Sequence, residues 1–228
     1  MVLALIRVFG IFLFLYLIWR KLRDDFVEDE VVSFSWIALV GFLLVGRVSY
    51  GLINWGVWNE SWTNWVLFWQ NPGFNYLFGY LGLWLTAFWY LKDKKWKTIS
   101  VFEDMLRAVV VLAVALGVDE YIRGSRNIEV LYVMGVLVLV TVMSLVLGRK
   151  YRSFVWYKSG KKGFLWYFFN IFLFLFLGGL LLWLGKGMFW WIFSFLLSLI
   201  SGVGLFILSS DNESIKILRR KNDKSNRE

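Results

Sequence analysis

Cysteine and histidine are both absent from this chain, which excludes thiol catalysis, disulfides, Cys-based metal sites and imidazole proton transfer at the outset. Acid–base chemistry is left to carboxylates, to a perturbed Lys or Tyr, or to a substrate group. The densest collection of suitable residues is LGVDEYIRGSRN, residues 116–127, where Asp119, Glu120, Arg123 and Arg126 follow one another closely and Gly117 and Gly124 bracket them. Two readings compete there. One is a solvated loop with local ion pairs; the other is a site for a lipid phosphate with a carboxylate beside it, the glycines letting backbone N–H groups approach an oxyanion. Arg47 is a separate candidate. It follows Gly46 in an apolar run that holds no acidic residue, and an arginine at the centre of a membrane span costs about 2.5–3.5 kcal/mol, so it is expected to face the bundle interior and to hold something anionic. Glu103, Asp104 and Arg107 form a third group, and their spacing of three and four predicts neutralisation along one helix face. Arg7 also falls inside an apolar run.

The elements that must position these residues are membrane helices. The chain is 59% hydrophobic and 21% aromatic with a mean hydropathy of +0.63, far above a soluble domain. No stretch alternates polar with apolar residues as a porin strand would. Apolar runs recur at 2–19, 33–53, 74–91, 101–116, 130–147, 164–184 and 189–208, each long enough to approach or cross about 30 Å of hydrocarbon as a helix. The expected fold class is therefore all-α, a polytopic membrane bundle of seven transmembrane helices. Residues 1–208 are read as a single transmembrane domain and 209–228 as a polar, disordered cytoplasmic tail. The first run ends in RKLRDD without a small-residue cleavage site, so it reads as a retained helix. Lys and Arg gather after the first, third and fifth runs and in the tail. The positive-inside rule then puts the N-terminus outside and the C-terminus in the cytoplasm. The net charge of +9 follows from that topology and from anionic inner-leaflet lipid, so no nucleic-acid partner is needed.

Between the second and third runs, Trp55, Trp58, Trp62, Trp65 and Trp69 recur at steps of three and four. That spacing predicts an interfacial amphipathic helix whose Trp stripe sits at head-group depth, in preference to a cofactor or sugar-binding cluster. The sole proline, Pro72, then opens NPGFNYLFGYLG, with Asn71 as the expected cap and Pro72 in the first turn of the third helix. Gly73, Gly79 and Gly82 bare its backbone to a neighbouring helix or to a lipid head group.

The order of these pieces resembles the prolipoprotein diacylglyceryl transferases of bacteria. RVFGIFLFLY is similar to the family's aromatic-glycine pair in span one, LVGRVSYGLINW to its Gly-Arg-x-Gly-Tyr motif, and GFNYLFGYLG to its Gly-Met-Ser-Phe-His-Gly-Gly-Leu-x-Gly. Residues 98–124 are similar to its Ser-Phe-x-x-x-x-Asp helix and the Gly-Arg-x-Gly-Asn-Phe-Ile-Asn-Gly that follows. Phe9, Leu77, Val118 and Glu120 depart from the family's Tyr, His, Arg and Asn. The resemblance implies a multi-pass protein of the bacterial cytoplasmic (inner) membrane that moves diacylglyceryl from phosphatidylglycerol, or another anionic phospholipid, to the cysteine thiol of a lipoprotein precursor. It implies no cofactor and no metal. On it, Arg47, Tyr50, Gly79, Gly82, Gly117 and Gly124 are expected to bind the lipid, Arg123 to meet the leaving group and Glu120 to act as base. The alternative is a catalytically degenerate relative that binds phospholipid or a membrane-protein partner. A small transporter is disfavoured, since no paired broken helices occur.

Overall fold

The structure is a computed structural model that describes residues 2–58, 74–122, 128–148, 150–151, 157, 159, 161–185 and 187–210. All the regular structure among the described residues is helical: α1 (Val2–Leu22), α2 (Glu28–Ile53), α3 (Trp55–Trp58), α4 (Tyr76–Asp93), α5 (Thr98–Glu120), α6 (Ile128–Gly148), α7 (Phe164–Trp183) and α8 (Met188–Ser209). Every apolar run of the sequence is thus helical. Four stretches, Glu28–Ile53, Leu131–Gly148, Phe164–Trp183 and Met188–Ser209, are long and apolar enough to cross a membrane. Large apolar side chains on them face outward, among them Leu44, Val142, Leu182, Leu199 and Phe206. Outward apolar surface on helices of this length marks a membrane protein, because only the backbone's internal hydrogen bonding makes such a surface tolerable in lipid.

Packing divides the chain into two compact units, Leu15–Val101 and Met1–Phe14 with Phe102–Glu228, so the divisions fall inside α1 and α5. In the first unit, α2 packs extensively on α4. α2 starts at Glu28, earlier than the apolar run begins, because Glu28, Asp29 and Glu30 suit the positive end of the helix dipole. α4 ends in a tight reversal in which Lys95 adopts φ 58° and the Trp96 N–H donates to the Leu91 carbonyl at 2.9 Å. That six-to-one bond satisfies a carbonyl the helix end would leave bare. Trp96 then stacks on Phe26 at 3.8 Å, beside Phe34 and Tyr90. Lys94 pairs with Glu30 at 2.8 Å, and this bond to the carboxylate raises the ammonium's pKa above its ordinary value.

In the second unit α7 packs on α8 over most of their length. Ser194, Ser198 and Ser201 recur on one buried face of α8. The Ser198 hydroxyl donates across to the Ile171 carbonyl at 2.9 Å, and Gly204 lies against the Tyr167 ring. Small residues let membrane helices approach closely where hydrophobicity supplies no net drive.

Candidate functional site

The first unit brings Gly46, Gly79 and Gly82 to one seam. The Gly46 carbonyl of α2 accepts from the Asn75 N–H at 3.0 Å and from the Ser49 hydroxyl at 3.1 Å. Asn75 is the cap of α4, its side chain accepting from the Phe78 N–H at 3.1 Å. The expected cap, Asn71, and Pro72 lie outside the described residues, and the helix proper begins only at Tyr76. The cap falls at Asn75 for a local reason: a cap must sit two or three residues before the N–H it accepts, and Asn75 stands at that distance from Phe78. Phe74 then folds its ring over both Gly46 and Gly79, 4.9 Å from the Phe42 ring. A methyl group added at Gly82 would lie 2.7 Å from the Gly41 carbonyl oxygen. These glycines therefore serve helix contact first.

Arg47, the residue of α2 next after Gly46, is buried, with only 3% of its surface exposed. Tyr50, one turn on, is half-buried, and its carbonyl accepts from both the backbone and the side chain of Asn54, at 3.1 and 2.9 Å. A planar guanidinium in such a place offers five donors in a fixed fork, a match for carboxylate or phosphate oxygens. Of the tryptophan stripe, Trp55 and Trp58 form the short helix α3, with Trp55 exposed; Trp62, Trp65 and Trp69 fall outside the described residues.

The second unit disposes of the remaining charges differently from the expected pattern. Asp119 is not part of a solvated loop. It is 1% exposed and accepts a hydrogen bond from the Nε of Arg7, an ion pair between residues 112 positions apart. Gly117, two residues earlier, lies against the side chain of Met134. Glu120 is the last residue of α5, after which Tyr121 and Ile122 form a single wide π turn. Arg123, Gly124 and Arg126 lie outside the described residues.

Nor do Glu103 and Asp104 turn to Arg107, which is exposed. Glu103 accepts from the backbone N–H groups of Gly163 and Leu165, at 2.5 and 3.2 Å, and from the Tyr151 hydroxyl at 3.3 Å. It thereby caps α7 from another helix, meeting donors that Gly163, with no side chain, cannot satisfy. Asp104 meets Lys162 at 3.4 Å. Spacing of three and four permits a local pair, and the expected neutralisation by Arg107 is not what forms: bare N–H groups at a helix start compete better for the Glu103 carboxylate than an exposed guanidinium does.

Compared with protein-family models and with curated proteins, the chain matches none.

Proposed function

We propose that this protein is a phospholipid-binding membrane protein of the bacterial cytoplasmic membrane, a divergent relative of the diacylglyceryl transferases that modify lipoprotein precursors. In this reading seven helices span the bilayer with the N-terminus outside and the C-terminus inside. The observation that carries it is the burial of Arg47 on α2, next in sequence to the Gly46 that the Phe74 ring covers. A guanidinium so enclosed presents a planar fork of donors that matches the oxygens of a phosphate oxyanion. The residues of the resemblance in this unit, Gly46, Arg47, Tyr50, Gly79 and Gly82, lie on the two helices that form the seam.

The transfer itself would join the thiol sulfur of a precursor cysteine to the glyceryl carbon of phosphatidylglycerol and break that carbon's bond to the phosphate oxygen. Glycerol phosphate leaves with the electron pair, and the thiol proton passes to a base. Within the first unit Arg47 is assigned to the lipid phosphate; for the transfer step the resemblance implies Arg123 at the leaving group and Glu120 as the base. The engagement of Asp119 with Arg7 favours the second reading, a non-catalytic lipid-binding relative, since it withdraws the other carboxylate of that stretch from proton transfer.

Two measurements test this. Purified protein given radiolabelled phosphatidylglycerol and a precursor peptide should place label on the peptide cysteine, with Glu120→Gln and Arg123→Ala inactive yet lipid-loaded. Lipid loss in Arg47→Lys, and more in Arg47→Leu, without transfer by any variant would leave the binding reading alone. An Arg47→Leu protein that keeps its lipid and gains stability would sink both. For topology, cysteines introduced at Lys95 and Ser159 should resist an impermeant outside reagent while one at Ser125 reacts.

A further inference from the structure

The Arg7–Asp119 pair is lopsided in a way that mutual neutralisation does not explain. α1 and α5 meet where Gly10 has no side chain and the Ala115 methyl fills the space. From that contact, one turn toward the start of α1 reaches Arg7, and one turn toward the end of α5 reaches Asp119. The two side chains differ sharply in access: that of Asp119 is 2% exposed and that of Arg7 30%. Among the described residues the contact runs through the Arg7 Nε. A guanidinium held at Nε keeps its two terminal nitrogens, with four further N–H donors, for another acceptor.

The surroundings suit an oxyanion. The Arg7 side chain is 30% exposed, so its terminal nitrogens can be reached from outside the helix pair. Immediately beyond Asp119 the helix widens into the π turn at Tyr121 and Ile122, where the regular backbone bonding pattern is interrupted.

We propose that Arg7 is a ligand for a phosphate-ester oxyanion at this end of the bundle, and that Asp119 is its positioning residue and not a proton carrier. The assignment rests on the phospholipid reading above only for the source of the phosphate. A buried carboxylate gripping Nε fixes the plane of the guanidinium, so the terminal nitrogens present a preorganised fork; it also explains why an acid occurs where the site would otherwise want only positive charge.

The test compares wild type with Arg7→Lys, Asp119→Asn and the double variant Arg7→Gln/Asp119→Asn, each purified from the same membranes and assayed for co-purified phosphatidylglycerol and for thermal stability with and without inorganic phosphate. The double variant removes both charges of the pair together and should melt closer to wild type than loss of either charge alone, while its retained phosphatidylglycerol falls roughly tenfold, the scale of a lost hydrogen bond to a charged group. Arg7→Lys keeps the charge and the tie but not the fork, and should lose lipid with little change in melting; Asp119→Asn should fall between. A double variant and an Arg7→Lys protein that both hold lipid as wild type does would reduce the pair to a helix tie and overturn the proposal, leaving the phospholipid reading to Arg47. If wild type holds no anionic lipid but is stabilised by inorganic phosphate, and the double variant is not, Arg7 remains an oxyanion ligand of free phosphate and the phospholipid reading fails. Absence of both responses in wild type overturns both.

Discussion

The two units weight two solutions to one problem differently. In lipid, apolar side chains gain nothing by leaving the surroundings for each other, so helices must associate through close packing or through polar contacts. The α2–α4 unit leans on closeness: Gly82 lies against the Gly41 carbonyl, Gly41 takes in Thr86, and Gly46 and Gly79 take in the Phe74 ring, with Phe42 beside it. The unit built on α5 to α8 relies on cross-linking by charge and hydrogen bond, through Arg7 and Asp119, Glu103 and the start of α7, Asp104 and Lys162, and Ser198 and Ile171. Packing of the first kind is unforgiving of volume. Linking of the second kind is unforgiving of a lost partner.

That contrast can be broken most sharply at Gly82. Gly82→Ala puts a methyl against the Gly41 carbonyl, which cannot swing away as a side chain can, and should cost at least about 3 kcal/mol, the upper range for overpacking. Gly135→Ala or Gly202→Ala, where nothing lies within 4 Å, should be neutral or slightly stabilising in the same detergent melt. Equal sensitivity at all three would dissolve the distinction.

In the other unit, Glu103→Ala should destabilise by about 2–3 kcal/mol, since it strands two backbone donors and the Tyr151 hydroxyl. Protease access at residues 161–163 should rise with it. Glu103→Gln keeps the shape but not the charge and should lie between. A Glu103→Ala protein as stable as wild type would show that the α7 start needs no partner from α5.

Lys95→Gly tests a smaller term. The left-handed φ of Lys95 costs a residue with a β-carbon about 1 kcal/mol, so glycine there should stabilise the first unit by up to that amount, less the flexibility glycine adds to the unfolded chain. The least effect concerns pH. The Lys94 ammonium has a raised pKa through its bond to Glu30, so the pair contributes below the unfolded lysine value, about 10.4, and its contribution fades as pH climbs through the higher folded value. Wild type should therefore lose slightly more stability than Lys94→Met between pH 9 and pH 11.

The helices were readable because unbroken apolar runs leave a chain in lipid no other local structure. The faces on which they meet were not. Asp119 reads as a surface acid because its neighbours 120, 123 and 126 are charged, and its partner stands 112 residues away; no local spacing rule reaches that far. Glu103 was obscured by a nearer and more obvious partner in Arg107. At the entrance of α4 a proline signal outweighed a plain one: Asn75 stands three residues before an N–H in need of an acceptor, whereas Pro72 announces only that a helix is close. Arg47 was legible as buried because charge inside an apolar run has few destinations. That Phe74 would cover the adjacent Gly46 was not.

The bond from the Asn75 N–H to the Gly46 carbonyl closes a ring in the chain. The ring encloses residues 47–74, from the last turns of α2 through α3 to Phe74, and the bond clasps the register of α2 against α4. Lengthening a loop already closed costs only about 0.6 kcal/mol for each doubling. The clasp therefore makes the tryptophan-rich stretch an evolvable insert: its length and sequence can change at little cost while α2 and α4 keep their alignment.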